Sequence, residues 1–436
     1  MNAQEPLRST PSPQPGPSVS CFVLLLCVAL HVLIPKAGFK LDEVPVTVAD
    51  MLFGILLPLA LIALLSMRLG GLLKKTKTAL FLAMAYFGLR TLGMSWNGET
   101  LARLVALSVY PFVLFALVKI VRSREHVDLF VRVVGVCVLA VLLYGLAQRA
   151  FGEAAVLVRG ITANWSDAAD PDFLAAKSNL FAQTGQLKLT STYQNGNVLG
   201  VNLLLWFPVA SLGLRRSARY LVFPVFLAVI GLTGSRSAWV GALVLFAVWL
   251  QTRPMSRKKR LFWAAVVVSA TLLFVFYSSL GQLRVQDNLD EVVSWSGRLH
   301  GAAIIWMDTV RSSFSDLLLG IHPPEESYAY EMLYLSIYET YGVIGLLLWS
   351  LPFAFSLCAF FRYRQYPVVS AAFVGIFTWM VVSVAEGAFW LPPTSFNVWA
   401  AMGLGWCALI SGRGQRAPSG AQFPFWVAAA PKCAQI

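Results

Sequence analysis

Charge is scarce in this sequence. Only 13% of its 436 residues are charged, against 58% hydrophobic, which is too little charge to clothe a soluble globular protein. Apolar runs of about 17–25 residues recur along nearly the whole length, and that is the length needed to cross a bilayer as a helix. Cysteine is scarce as well. Cys21, Cys27, Cys137, Cys358 and Cys407 lie in apolar runs and Cys433 lies near the end. None pair at metal-ligand spacing, which excludes a disulfide framework and a cysteine metal site. The four histidines (His31, His126, His300 and His322) also lack ligand spacing, so neither metal nor cofactor is expected. The first apolar run has no small-residue cleavage site, and it reads as a retained helix.

What is present is an all-α polytopic membrane protein. The periodicity predicts about twelve spans, near residues 18–35, 46–67, 78–96, 101–121, 127–149, 196–214, 219–233, 237–251, 261–280, 333–360, 367–388 and 395–411. Residues 1–17 form a Pro/Ser-rich leader, and 412–436 form a tail. The net charge of +13 could suggest nucleic acid, but the basic residues sit in short connectors between spans. Arg68 with Lys74, Arg122 with Arg124, Arg215 with Arg219, Arg257 with Arg260, and Arg362 with Arg364 all fall on one side. Under the positive-inside rule that side is cytoplasmic, together with both termini. Two long polar loops, about 150–195 and 281–332, then face outward.

Three stretches carry the candidate chemistry. LTGSRSAWVG places Arg236, flanked by Ser235 and Ser237, in a tight outward turn between two apolar runs. An arginine there can simply snorkel to lipid phosphates. A charge at a membrane boundary is costly, however, and is commonly retained for function. SWSGRLHGAAIIWMDTVRS in the second loop spaces Leu299, Ala303, Trp306 and Val310 at helical intervals, with His300, Asp308 and Arg311 opposite. That pattern predicts an amphipathic helix from Gly297 on the outer membrane surface. Arg298 would occupy its first turn, where free N–H groups favour an anion; the plainer alternative is a solvated loop residue. EESYAYEMLYLSIYETYGVIG follows, with Glu331, Tyr334 and Tyr338 on one face of the entering helix. Glu331 could equally be a first-turn acid that suits the helix dipole.

Other polar residues also lie within or near the spans. Arg90 in span 3 and Glu386 in span 11 are expensive in hydrocarbon unless paired or facing water, whereas Arg103 and Arg132, nearer span ends, read as structural. His31 reads as a hydrogen-bonding group inside the bundle. His322 is of interest for its closeness to Glu331. Asn195 and Asn197, at the outer end of span 6, either bind a ligand or cap the helix.

Taken in order, STYQNGNVLGVNLLLWFP, TGSRSAWVGAL, SWSGRLHGAAIIW and EMLYLSIYETYGVIGLLLW resemble the O-antigen ligase/polymerase superfamily over roughly residues 45–410. The resemblance implies a multi-span, metal-independent inverting transferase in the bacterial inner membrane, with its active site facing the periplasm. Its donor would be a glycan on undecaprenyl pyrophosphate, and its acceptor another glycan or lipid A–core. Arg236 and Arg298 take the places of the family arginines that bind the pyrophosphate. Ligases carry His-Asn-x-Tyr-Leu after the large loop. Here Glu331 and Met332 stand in the first two positions, which resembles the polymerase branch and leaves the ligase as the alternative.

The chemistry agrees with these residue types. Two guanidiniums can clamp a leaving pyrophosphate, and their stabilisation grows as charge develops on the leaving oxygen. An acceptor hydroxyl needs a base. Glu331 is the first choice for it, followed by Asp308 and His322. Tyr334, Tyr338 and Trp295 suit sugar rings, and Arg90, Ser235, Ser237 and His300 are further candidates for substrate contact. Membrane lipids are partners by construction, chain-length control would call for a regulator, and no nucleic acid is expected. The rival class is a polysaccharide or lipid-linked sugar transporter. Transporters commonly show internal repeats, and none is visible here.

Overall fold

The computed structural model describes residues 18–41, 44–67, 70–165, 188–252, 256–258, 260–262, 265, 269, 292–323, 327–328 and 332–413, with the side chains of 292–299 outside that description. Helix α1 (Val19–Leu33) starts under Ser18, whose Oγ accepts the Cys21 N–H at 3.3 Å, an ordinary N-cap. A small antiparallel hairpin follows, β1 (Gly38–Leu41) paired with β2 (Val44–Thr47), with Phe39 opposite Val46. The all-α expectation omitted it, because strands of four residues are too short to show alternation. Then come α2 (Val48–Ser66) and α3 (Gly71–Leu92). Lys74, Lys75 and Lys77, expected in a connector, lie on α3.

The fourth expected span is one path in three parts: α4 (Gly98–Leu104), a π-helical turn (Val105–Val109) and α5 (Phe112–Ile120). Pro111 has no N–H to donate, so the usual ladder fails here. Tyr110 N–H instead reaches back to the Val105 carbonyl at 2.9 Å, the signature of a π-bulge. The next elements are α6 (Arg124–Phe151), the single turn α7 (Glu153–Val156), α8 (Gly196–Gly213), α9 (Arg216–Leu232) and α10 (Arg236–Thr252). After them come α11 (Val292–Arg311), α12 (Phe314–Leu319), α13 (Leu333–Arg362), α14 (Pro367–Val382) and α15 (Pro392–Arg413).

Five of these helical paths are long and apolar enough to cross a membrane: Val48–Ser66, Gly98–Ile120, Arg124–Phe151, Gly196–Gly213 and Leu333–Arg362. Helices α1, α10 and α14 are apolar but shorter. The chain is therefore built as an all-α, membrane-embedded protein. Most of the span expected at 261–280 lies outside the described residues. Helix α8 is the most enclosed of the five, while α2 turns Ile55 and Leu65 outward.

Buried polar groups stitch the bundle together. His31 on α1 meets the Asp50 carboxylate on α2 at 3.1 Å, and Asp50 also accepts from Tyr110 (2.7 Å) and Thr47 (2.6 Å). The His31 ring stacks on Phe396 of α15 at 3.6 Å. Next to Phe396, Asn397 donates to the His31 carbonyl (3.3 Å) and to Asn202 of α8 (2.8 Å). In a low-dielectric interior such groups must satisfy one another. His31 is thus a bundle hydrogen-bonder, as its sequence context suggests.

Helix α13 is not one straight span. Gly342 has φ +66° and interrupts it, and a Cβ there would run into the Leu318 carbonyl. Only glycine adopts that backbone this close to another chain segment. The break leaves a short leading half, Leu333–Tyr341, ahead of the long crossing half. The α12 helix lies against the break.

Candidate functional site

Several element ends meet at one end of the bundle. The Leu333 N–H bonds the Ser383 carbonyl at 3.2 Å, joining the start of α13 to the end of α14, and Leu189 N–H bonds Leu232 O at 3.0 Å beside the α9–α10 turn. Ser237 Oγ donates to the Glu386 carboxylate at 3.0 Å, which brings the start of α10 to the same place.

Arg236 is the first residue of α10 and is half-buried. It follows a turn in which Gly234 has φ +65°. Ser235 caps the new helix, with its Oγ accepting the Ala238 N–H at 3.2 Å, and it also contacts Ser237 Oγ at 2.9 Å. Ser235 is buried, so its work is local. Glu386 was expected inside span 11. It lies instead in the turn beyond α14, only 7% exposed, because the helix ends at Val382. The short 3-10 turn Ala388–Trp390 follows it, and the Trp390 ring lies 4.7 Å under the Arg103 guanidinium.

Arg103 is fully buried on α4 and forks between Glu99 (2.8 Å) and Thr340 (2.8 Å). Its place is structural, as its position near a span end suggests. Arg90, half-buried on α3, donates to the Leu319 carbonyl at 2.9 Å and so holds the end of α12. Thr340 stands two residues before the α13 break and Leu319 ends α12, whose backbone lies against it, so the two arginines reach the break through different partners.

A second polar cluster lies along the leading half of α13. His322 Nε2 contacts Asp308 of α11 at 3.1 Å, with the two side chains 20% and 31% exposed. The His322 ring meets Tyr328 edge-on at 5.7 Å. Tyr338 Oη and Thr309 Oγ1 are 3.1 Å apart, tying α11 to α13. Beneath them Glu339 is fully buried. Its carboxylate accepts from Ser327 Oγ (2.7 Å) and Tyr328 N–H (2.9 Å). Sequence reading passed over Glu339, although a lone carboxylate within an apolar helix is the signal that would have found it.

Other expected residues fall elsewhere. Asn195 caps α8 by accepting the Val198 N–H at 2.9 Å, and Asn197 lies in the first turn of the same helix. Tyr334 donates to the Met380 carbonyl at 2.7 Å and packs its ring on Trp349, which ties α13 to α14. His300 is exposed on α11 and is not brought to either cluster. Glu331 and the Trp295 side chain lie outside the described residues.

Arg298 needs a correction. Helix α11 is already formed at Val292, so Arg298 stands at least about a turn and a half inside it, away from the free N–H groups of a helix start. Its side chain lies outside the described residues. The rest of α11 follows the expected pattern, with Trp306 and Val310 each 70% exposed and Ile305 buried. An outward apolar line on a helix beside membrane spans suits lipid.

The arrangement offers cationic side chains, buried carboxylates and a partly open imidazole–carboxylate pair around the leading half of α13, and it must be read on its own geometry. No family model and no curated protein matches this chain.

Proposed function

We propose that this protein is a membrane-embedded, inverting glycosyltransferase of the O-antigen ligase/polymerase type, working at the periplasmic face of a bacterial inner membrane. It takes a glycan from undecaprenyl pyrophosphate and passes it to an acceptor sugar, most directly by adding repeat units to an O-antigen or exopolysaccharide. Transfer of the glycan to lipid A–core is the ligase form of the same reaction.

The observation that carries this reading is the meeting of the Arg236 turn, buried Glu386 and the start of α13 at one end of the bundle. An arginine at the opening of a helix adds its charge to the helix dipole, so the place favours an anion. Arg236, with Arg298 by its motif, would hold the pyrophosphate through bidentate hydrogen bonds. The anomeric carbon is attacked once, from the face opposite the leaving group, and its configuration inverts. The acceptor's proton needs a base near the start of α13. Glu331 is the choice its motif position suggests, with Asp308 and His322 the alternatives.

A reconstituted assay tests the reading. Purified protein receives an undecaprenyl-pyrophosphate-linked repeat unit, with and without lipid A–core. A ladder growing on the lipid carrier alone identifies a polymerase, and transfer that needs lipid A–core identifies a ligase. Uptake of lipid-linked sugar into vesicles with no transfer would replace the reading with transport.

A further inference from the structure

The break at Gly342 has a chemical consequence for the carbonyls before it. In an unbroken helix each carbonyl accepts from the N–H four residues on. Where the path breaks, the carbonyls of the last turn lose those donors and need others. The Tyr341 carbonyl accepts from Tyr86 Oη at 2.7 Å. The Glu339 carbonyl accepts from Ile321 N–H at 2.7 Å and from His322 N–H at 3.1 Å. Glu339 then adds its side chain, which holds Ser327 and the Tyr328 amide. One residue thus grips residues 321–322 with its backbone and 327–328 with its carboxylate.

We infer that Glu339 is the positioning residue of this site, and that the pair it positions, His322 with Asp308, takes the acceptor's proton. The inference rests on the transferase reading and moves the base from Glu331 to His322. Three features support it. The His322 backbone is fixed by Glu339, while its ring is oriented by Asp308 from a different element, α11. The pair keeps part of its surface open, as a base that must meet substrate requires. Glu339 itself is fully enclosed and cannot reach substrate, so it acts through what it holds. A buried carboxylate is an expensive way to secure a loop, and placement of catalytic groups is where such an outlay has a return.

In the step proposed, the acceptor hydroxyl proton passes to His322 and the oxygen's electron pair forms the new bond to the anomeric carbon. The bond from that carbon to the phosphate oxygen breaks, and its electron pair leaves on undecaprenyl pyrophosphate. Asp308 stabilises the imidazolium that results.

The test uses the full-length protein in the reconstituted assay, with the undecaprenyl-pyrophosphate-linked repeat unit as donor. His322→Gln should lower kcat about a hundredfold or more with the donor KM little changed. Glu339→Ala should lower kcat about tenfold or more, again without raising the donor KM, and should speed amide exchange at Ile321, His322 and Tyr328. Glu339→Gln should restore most of the rate, because its amide can accept from Tyr328 N–H and donate to Ser327. If Glu339→Ala does not fold, Ser327→Ala carries the test by removing one bond of the grip, and a several-fold loss in kcat is expected. Normal kcat in His322→Gln, normal kcat in a variant whose 321–328 amides exchange faster, or failure of Glu339→Gln to rescue would each overturn the inference. If the unaltered protein transfers nothing, the transferase reading itself fails, which is a separate and distinguishable result.

Discussion

Arg103 and Arg236 belong to the same end of the bundle and differ in how deeply they are buried. Arg103 is fully enclosed and forks between Glu99 and Thr340 over the Trp390 ring. Its partner Glu99 keeps a third of its side chain exposed, so the loss is that of hydrogen bonds to a charged group, typically about 1.5–3 kcal/mol each. Arg103→Met should therefore lower the unfolding midpoint in detergent markedly and reduce the folded protein recovered. Arg236 is half-buried at a helix start. Arg236→Ala should abolish polymer in cells while folded protein is still recovered from the membrane. Normal polymer from that variant would remove the pyrophosphate clamp. The two arginines were separable from sequence because one lay within a span end and the other in a tight turn. Glu339 is visible in the sequence as a lone carboxylate in an apolar helix, but its partners at 321–322 and 327–328 are announced by no local pattern. Glu386 was misplaced for a related reason: apolar residues continue past Val382, so periodicity ran on where the backbone turned.

At the scale of elements, the interrupted helix α13 matters most. The sequence predicts a single span over 333–360, since glycine is common within membrane helices and gives no warning of a positive φ. What distinguishes Gly342 is tertiary: the Leu318 carbonyl occupies the place of its Cβ. Gly342→Ala should cost about 1–3 kcal/mol from backbone strain alone, and more from the clash. It should also loosen α12, visible as faster amide exchange at Gly320 and Ile321. Stability equal to that of the unaltered protein would mean the break is soft. The onset of α11 was misjudged for a simpler reason. Helical spacing is clear from Leu299 onward, but Val292 and Val293 read equally well as loop or helix.

For the whole molecule, composition alone was enough to place the chain in a bilayer, and charge placement supplied an orientation. That orientation predicts opposite sides for β1 and for the connector after α13. With native cysteines replaced, Phe39→Cys on the hairpin should react with an impermeant maleimide in cells with a permeabilised outer membrane. Arg364→Cys should react only after the inner membrane is opened, and the reverse pattern would invert the topology. The internal seams were beyond reach of the sequence. Nothing local to Asn397 predicts that it bonds the backbone of His31, 366 positions earlier.

That seam bears on how the protein is made. Helix α1 leaves the ribosome long before the α15 residues that stack on it and bond it. Until they arrive, one flank of the His31–Asp50 pair faces lipid or whatever chaperone is at hand. An incomplete chain would then carry, between α1 and α2, a polar flaw that α15 helps to conceal. A membrane protease that samples such flaws could tell an unfinished copy from a finished one without reading anything else.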